Sequence, residues 1–237
     1  MIELMKGIYA EGKSVWIPKH KIMVIADVHL GYEEMLNRQG VLVPRTQFLQ
    51  TKKELQELCG KLHPGTIIIN GDFKHEFGGI SSQEWQDAQD ILDMLLRSSK
   101  VILIKGNHDT ILEPIARKKG LAIVNYFCIG EICITHGDKI RTEKDAKDAK
   151  IIIMGNEHPA ISIRDGIKSE KYKCFLAGTW KSKKLIVLPS FLSITTGSDI
   201  RQEERLSPYL QQNLSRFGVF IVGDNEIYDF GQVKELS

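Results

Sequence analysis

The segment IMVIADVH, residues 22–29, is the stretch from which the fold can be predicted. A short apolar run rich in β-branched residues predicts a buried strand. Asp27 and His29 follow this run two positions apart, which places both side chains on the same side of an extended chain. Four later segments repeat the pattern of an apolar run that ends in polar residues; they are TIIINGD at 66–72, VILIKGNHD at 101–109, ICITHG at 132–137 and IIIMGNEH at 151–158. Because ligands gather at the carboxyl ends of strands in open α/β sheets, the five segments predict one shared site.

Helical patterns separate the first three runs. Apolar spacing predicts helices over residues 32–38, 45–62, 82–97 and 111–118, with Ser81 or Ser82 as a cap of the third. The alternation of strand and helix predicts right-handed βαβ units. A strand pair, 3–9 and 14–17, precedes them. We therefore expect an α/β fold.

Short strands dominate beyond Gly120 and predict a second, more antiparallel sheet packed on the first. They are expected at 122–124, 131–135, 151–154, 160–163, 173–179, 185–188, 217–222 and 226–230. Residues 138–150 alternate Lys and Asp, which predicts an exposed helix or loop. No linker or repeat divides the sequence, so we expect one domain over residues 1–237.

Composition restricts the cellular setting and the partners. The 237 residues carry a formal net charge of +2, which is compatible with a nucleic-acid partner without favouring one. The four cysteines show no C-x-x-C spacing, so a disulfide framework is not expected. No run approaches the roughly 20 apolar residues of a membrane span. We expect a cytoplasmic protein with no membrane association.

The residues at the strand ends favour metal chemistry. Carboxylate, imidazole and amide donors without thiolate suit Mn, Fe, Co or Zn in a catalytic site better than a structural zinc site. Two such ions clamp a phosphate and generate hydroxide. His108 follows the candidate ligand Asn107 and is placed to act as a general acid or to stabilise transition-state charge, with Asp109 orienting its ring. Taken singly, each motif also has a structural interpretation: Asp27 and His29 as loop hydrogen-bonding residues, Gly71-Asp72 as a turn and His136 as an interior histidine.

The ordered set D-x-H, G-D, G-N-H-D, H-G and G-x-x-H, from Asp27 to His158, resembles the signature of the calcineurin-like metallophosphoesterases. Within that superfamily, three passages are similar to archaeal phosphoesterases related to the SbcD repair nuclease and to bacterial DNA-ligase-associated phosphoesterases. They are ADVHLGYE at 26–33, GDFKHEF at 71–77, and LPSF at 188–191 followed by Gly197.

The resemblance implies a four-layer α/β/β/α sandwich with two mixed β-sheets and a dinuclear metal centre, with Mn the expected ion. Its implied metal ligands are Asp27, His29 and His158 for the first ion, Asp72 as the bridge, and Asn107 and His136 for the second. A hydroxide bridging the ions would attack phosphorus in line. His108 would face the leaving group with Asp109 behind it, and the branch implies a role in DNA repair.

One motif departs from the family pattern. The usual G-H-x-H is replaced by Gly155-Asn156-Glu157-His158, so Asn156 stands where an imidazole would hold the second ion. We expect Asn156 to ligate through its amide oxygen and to give a weaker second site that favours Mn over Zn. The alternative is that Asn156 does not ligate and only one ion stays bound.

Substrate contacts are predicted at two places. Lys74 and His75 lie just past the bridging Asp72 and could contact substrate phosphate, with a surface or capping role as the alternative. The clusters at 171–173 and 180–184 mix lysines with aromatics, which suits single-stranded nucleic acid. The alternative is a solvated hairpin with Tyr172 and Trp180 in the core.

Three functions remain open from the sequence. The first is a metal-dependent phosphodiesterase or nuclease, acting on single-stranded or end-containing DNA or RNA. The second is a hydrolase of small phosphoesters such as nucleotides. The third is a catalytically weak scaffold, which the intact His108 and Asp109 argue against. The sequence does not predict an oligomeric state.

Overall fold

The computed structural model describes residues 1–44, 46–76, 81–166 and 168–236. Over these residues the chain forms sixteen β-strands and five α-helices, with 3-10 helices at Pro18–His20 and Val233–Glu235. Arg45 of the predicted second helix and Phe77 of the GDFKHEF passage lie outside the described residues.

The first sheet has seven strands in the order of the sequence. They are β1 Ile2–Met5, β2 Ile8–Glu11, β3 Ser14–Ile17, β4 Ile22–Ile25, β5 Thr66–Asn70, β6 Lys100–Ile104 and β7 Ile123–Val124. Strands β1 to β4 pair antiparallel through short connections, whereas β4 to β7 pair parallel because longer crossovers join them. The sheet is therefore mixed, as predicted.

The amino-terminal strand is shorter than predicted. The expected strand over residues 3–9 is divided into β1 and β2, which form a hairpin. Gly7 adopts a φ of 76° at the turn, and its N–H donates to the carboxylate of Glu3. Glycine adopts this left-handed conformation without the steric cost of a Cβ, so it is the residue that allows the chain to reverse here.

Four helices accompany the first sheet, and all but the first of them bury apolar side chains in the core on its outer face. They are α1 Tyr32–Arg38, α2 Gln47–Leu62, α3 Ser82–Leu96 and α4 Glu113–Lys118. The apolar faces of α2 and α3 bury Leu55 and Leu92 against Ile67 and Ile69 of β5. The predicted cap of α3 is confirmed, since Ser81 Oγ accepts the N–H of Glu84 at 2.9 Å.

The second sheet has nine strands and contains both pairing directions. They are β8 Tyr126–Ile129, β9 Ile132–Thr135, β10 Ile151–Met154, β11 Pro159–Asp165, β12 Lys168–Trp180, β13 Lys183–Val187, β14 Ser198–Asp199, β15 Gly218–Val222 and β16 Ile227–Gln232. Their order is β14-β11-β12-β13-β10-β9-β8, with β15 and β16 added beside β12. Strand β10 lies parallel to both β9 and β13, whereas β12 is antiparallel to its neighbours β11, β13 and β15.

Apolar side chains from both sheets meet in a shared core. Val24 and Ile68 of the first sheet pack with Ile134, Ile153 and Phe175 of the second. The far side of the second sheet is covered by α5, Lys144–Asp148, and by the irregular segment 200–217. The layered arrangement with two mixed sheets is confirmed, but this last layer is largely irregular in the described part of the chain. The predicted exposed segment 138–150 contains α5 and loop.

None of the helices among the described residues combines the length and the apolar character that a membrane crossing requires.

The strands that carry the candidate ligands end at the same edge of the molecule. At this edge Asp27 N–H donates to the Gly71 carbonyl, and Gly155 N–H donates to the His136 carbonyl. The amide of Asn70, at the end of β5, donates to the carbonyl of Thr135, at the end of β9, at 2.9 Å. This bond joins the two sheets where the polar residues follow.

Candidate metal centre

The backbone leaves the strands through strained conformations. Five of the candidate residues, Asp27, His29, Asp72, Asn156 and His158, have φ values between 45° and 66°. Left-handed conformations are unfavourable for non-glycine residues and cluster at functional sites, where the surrounding structure holds them. Here they turn the side chains inward.

A first group of donors surrounds the imidazole of His29. His29 Nε2 lies 3.3 Å from His158 Nε2 and 3.8 Å from Asp72 Oδ2. His158 Nε2 lies 3.6 Å from Asp27 Oδ2. Donor atoms of Asp27, His29 and His158 all lie within 4.8 Å of one another, a spacing that one metal ion can join.

A second group shares the carboxylates with the first. His136 Nδ1 lies 3.5 Å from Asp27 Oδ1, and His136 Nε2 lies 3.4 Å from Asp72 Oδ2. Asn107 Oδ1 lies 2.8 Å from His136 Nε2. Asp72 therefore lies between the His29 group and the His136 group, as expected for a bridging carboxylate.

The donor set fits divalent metal. Asp27 Oδ1 is buried and has no hydrogen-bond partner among the described residues. A buried carboxylate oxygen is costly without a partner, and a cation supplies one. Two carboxylates, three imidazoles and an amide oxygen are the ligand types of Mn, Fe, Co and Zn catalytic sites.

The electrostatics of the site also favour a bound cation. Although burial opposes it, the carboxylates of Asp72 and Asp27 raise the pKa of His136 to about 9. Against its own burial, Asp72 has a pKa lowered to about 2 by His136 and His29. The carboxylates thus favour a positive charge at this point. Because metal ligands must be deprotonated, a divalent ion competes with the proton of His136.

Two glycines allow the ligands to approach closely. A Cβ at position 71 would lie 2.1 Å from Nδ1 of His136, and one at position 106 would lie 2.1 Å from Oδ1 of Asp72. Both distances are far inside van der Waals contact. The glycines of the G-D and G-N-H-D motifs are therefore required by the packing of the ligands themselves.

His108 faces the ligands from the more exposed side. Its Nε2 lies 4.0 Å from Asp72 Oδ2, and its backbone N–H donates to Asp72 Oδ1 at 2.8 Å. Its Nδ1 lies 2.6 Å from the carbonyl of His75 and, since a carbonyl only accepts, carries the hydrogen. This fixes the ring with Nε2 toward the site.

The interpretation that Asp109 orients the ring of His108 is wrong. Both oxygens of Asp109 accept backbone N–H groups instead, Oδ2 from Gly106 at 3.0 Å and Oδ1 from Phe73 and Lys74 at 3.0 and 3.2 Å. Burial raises the pKa of Asp109 to about 6, against the effect of these donors. Asp109 thus joins the loop after β6 to the loop after β5.

Lys74 and His75 have different surroundings. Lys74 is fully buried, and its Nζ has no hydrogen-bond partner among the described residues. In this conformation it does not reach a substrate, so the predicted phosphate contact of Lys74 lacks support. His75 instead lies inside the site, with its ring stacked on His108 at a centroid distance of 5.2 Å.

Glu84 supports this segment through a contact that could not be predicted from the sequence. Its Oε1 accepts the N–H of His75 at 2.9 Å.

The backbone of Asn156 lies against the carboxylate of Asp27. Its φ of 66° is one that asparagine tolerates better than most residues. Its backbone N–H donates to Asp27 Oδ2 at 2.9 Å. Ligation by its side-chain oxygen stays a prediction.

The aromatics of the two clusters pack against the core, as the structural interpretation has it, whereas several of the lysines are bonded within the protein instead of being solvated. Lys171 pairs with Glu203 at 2.6 Å, and Lys183 donates to carbonyls at the end of α5, including that of Ala149. Trp180 packs edge-on against Tyr209. These residues are engaged within the protein, which weakens the case for a nucleic-acid surface there.

Two lysines, Lys13 and Lys173 of the 171–173 cluster, hold the segment behind Asp27. Phe191 and Leu192 donate their N–H groups to the carbonyls of Ala26 and Asp27. Lys13 Nζ donates to the Phe191 carbonyl at 3.1 Å, and Lys173 Nζ donates to the carbonyls of Ser190 and Leu192 at 2.9 and 2.5 Å. The LPSF passage thus helps to hold the backbone of the candidate ligand Asp27 in place.

Comparison with known families identifies the class of protein. The family model for calcineurin-like phosphoesterases matches residues 20–213, and the chain belongs to that family. It is therefore a hydrolase of the phosphoester-cleaving class, in a family that typically binds two divalent metal ions. None of the curated proteins compared with the sequence matches it.

One of the solved structures compared with this chain has the same fold, and two others are less similar to it. The crystal structure of the Pseudomonas putida nuclease MPE is 18% identical, with 92% of each chain covered and a TM-score of 0.67. The Escherichia coli phosphoesterase YfcE is 12% identical over 89% of this chain and 98% of that one, with a TM-score of 0.43. Vps29 from Entamoeba histolytica, solved with zinc, is 14% identical over 88% and 96%, with a TM-score of 0.32.

Proposed function

We propose that this chain is a dinuclear metal-dependent phosphodiesterase that cleaves nucleic acid. One observation carries the proposal: the ends of five strands bring two overlapping groups of metal donors together, with His108 Nε2 4.0 Å from the shared carboxylate of Asp72. A scaffold without catalysis has no use for a proton donor held at that point.

The ligand assignment follows the two donor groups. Asp27, His29 and His158 would hold one ion, Asn107 and His136 the other, and Asp72 would reach both. Asn156 would add its amide oxygen to the second. When bound, two such ions polarise the phosphoryl oxygens and supply a nucleophile from water at neutral pH. Manganese is the ion that we expect, since Asn156 replaces a nitrogen donor by an oxygen.

His108 would serve the leaving group. Its Nδ1–H is held by the His75 carbonyl, so a protonated imidazole has one remaining N–H, on Nε2, and this nitrogen faces the site. Donation of that proton to the departing oxygen avoids the release of an alkoxide, a contribution of about 10²–10⁴ in rate.

The substrate would enter on the side of His108 and His158. Their side chains are 19% and 22% exposed, whereas those of Asp27, Asp72 and His136 are at most 4% exposed. The nuclease whose structure superposes over most of both chains supports a nucleic-acid substrate. The passages at 26–33, 71–77 and 188–191 support the further proposal that the chain belongs to the branch of repair-related phosphoesterases.

A small phosphoester, such as a nucleotide, is the second candidate. The internal engagement of Lys171, Lys173 and Lys183 favours it, because a groove that tracks a nucleic-acid backbone needs free cations.

Salt dependence separates the two candidates. Cleavage of a single-stranded oligonucleotide and of an aryl phosphodiester would be measured with Mn²⁺ between about 50 and 200 mM salt. For a nuclease, the rate of oligonucleotide cleavage falls steeply as the salt concentration rises, because binding a polyanion releases counterions. The rate of aryl diester cleavage stays level. Equal salt profiles, with the oligonucleotide cleaved no better than the aryl ester, would reject nucleic acid as the substrate. A strong loss of cleavage of both substrates in His108→Ala would show that the cleavage belongs to this site.

A further inference from the structure

The imidazole of His75 contacts the site in a way that the ligand assignment leaves unexplained. His75 Nδ1 lies 3.3 Å from His29 Nδ1, on the opposite side of the His29 ring from the metal donors. His29 Nε2 is the atom that faces His158 and Asp72. The two Nδ1 atoms can share one hydrogen.

The direction of that hydrogen bond follows from the metal centre. If His29 Nε2 holds an ion, the hydrogen of a neutral His29 ring must be on Nδ1, which then donates. His75 Nδ1 must accept, and the hydrogen of its own neutral ring is on Nε2. Metal-binding histidines usually donate their second N–H to a carboxylate, a carbonyl or water, and this partner fixes the ring. In this chain the partner is another imidazole.

The same residue also fixes His108. The carbonyl of His75 accepts from His108 Nδ1 at 2.6 Å, and the two rings stack with an interplanar angle of 24°. His75 is itself held in place through its backbone N–H and through its ring. Its N–H lies 2.9 Å from the Leu30 carbonyl and 2.9 Å from Glu84 Oε1, and Tyr32 packs edge-on against its ring at 4.6 Å.

We propose that His75 is a positioning residue that aligns the metal ligand His29 through its ring and the proton donor His108 through its carbonyl. This inference rests on the proposed function. It replaces the prediction that His75 contacts the substrate phosphate: the His75 nitrogen that meets the site is engaged with a metal ligand. One residue then sets the distance between the first metal position and the group that protonates the leaving oxygen.

Asparagine and leucine at position 75 form a matched pair for the test. Asparagine oxygen Oδ1 is two bonds from Cβ, as Nδ1 of histidine is, so it can accept from His29. Leucine has the same branched shape without an acceptor. Both keep the backbone carbonyl that holds His108. Binding of Mn²⁺ to metal-stripped protein would be measured by calorimetry, and Co²⁺ binding by visible absorption, so that the readout does not require activity.

We expect His75→Leu to bind one ion about 10–100-fold more weakly, as loss of a partner of a metal ligand typically does. His75→Asn should recover most of that affinity. Equal affinity in both variants and the parent would overturn the proposal, and so would an equal loss in both, because the acceptor would then not be the cause. If His75→Leu does not fold, His75→Phe, which keeps an aromatic ring for the stack, takes its place.

Kinetics on an aryl phosphodiester separate positioning from substrate contact. A rise in KM for His75→Leu with unchanged metal affinity would assign His75 to the substrate and reject the proposal. Absence of cleavage in the parent would instead count against the proposed function, while the metal-affinity comparison would still test the role of His75.

Discussion

His108 is the residue whose removal should affect the chemistry without dismantling the metal centre. His108→Ala removes the Nε2–H that faces Asp72 but leaves the carboxylates and imidazoles in place. We expect kcat on a phosphodiester to fall about 10²–10⁴-fold, with Mn²⁺ affinity unchanged. His20→Ala is a suitable control, because His20 precedes β4 and lies at its opposite end from Asp27. If His108→Ala cleaved the diester as fast as the parent, a group other than His108 would have to donate the proton to the leaving oxygen.

We propose that Asn156 determines how well the second ion is held. Asn156→His should tighten binding of the second Mn²⁺, and Asn156→Ala should weaken it, since ligand changes typically alter metal affinity about 10–100-fold. His158 already adopts a φ of 49° two residues away, so the left-handed backbone does not exclude histidine. Calorimetric titration of the metal-stripped proteins with Mn²⁺ would resolve the binding of the first ion from that of the second. An Asn156→Ala protein that binds two ions as tightly as the parent would remove Asn156 from the ligand set.

Asp109 acts between elements, where it joins the loops that follow β5 and β6. Asp109→Asn replaces one acceptor oxygen by an NH₂ group facing a backbone N–H. We expect the free energy of unfolding to fall by about 1–3 kcal/mol, the cost of a buried unsatisfied group. Asp93→Asn, which removes the charge of a half-exposed surface pair with Lys119, should change it much less. Equal urea midpoints for the unfolding of the two variants would contradict the role of Asp109 in joining the two loops.

The strands that carry the site could be predicted because their apolar runs are buried on both faces. All four residues of β4 and the last four of β5 are buried, so the sequence shows continuous Ile and Val instead of alternation. The division of the expected strand over residues 3–9 at Gly7 could not be predicted, because the residues on both sides of Gly7 also suit one longer strand. The irregular layer over the second sheet carries no periodic signal, since Tyr209, Leu214 and Phe217 are buried without regular spacing.

Within the site, the convergence of the candidate ligands could be predicted from the sequence, whereas the contacts that support them could not. Asp27, His29 and Asp72 follow strands directly, and parallel neighbours end at one edge of the sheet. The contacts of His75, Asp109 and Lys173 instead depend on how loops from different strands meet. Residue types alone predicted phosphate contact for Lys74, whereas the structure buries it.

At the scale of the whole molecule, Lys173 joins β12 of the second sheet to the segment behind Asp27 of the first. Burial and the nearby Lys13 lower the pKa of Lys173 to about 7, although Asp27 opposes this shift. Between about pH 7 and its ordinary value of 10.5, the unfolded chain therefore binds a proton that the folded protein lacks. Stability contributed by this group rises with pH across that window, by at most about 1.4 kcal/mol per pH unit.

A Lys173→Met variant lacks this titration. Urea unfolding of both proteins at pH 6.5 and pH 9 should show the parent gaining stability relative to the variant at the higher pH. Parallel profiles would mean that Lys173 stays protonated, held by the three oxygens of Ser190 and Leu192 to which its Nζ donates.

The whole account depends on metal-dependent cleavage of a phosphodiester at this site. The most direct measurement adds Mn²⁺ to metal-stripped protein and follows hydrolysis of an aryl phosphodiester and the matching monoester, with Asp72→Ala and His108→Ala beside the parent. We predict that Mn²⁺ restores diester cleavage in the parent, and that neither variant recovers it. Failure of the parent to cleave either ester at any Mn²⁺ concentration, with the ions bound, would contradict the account.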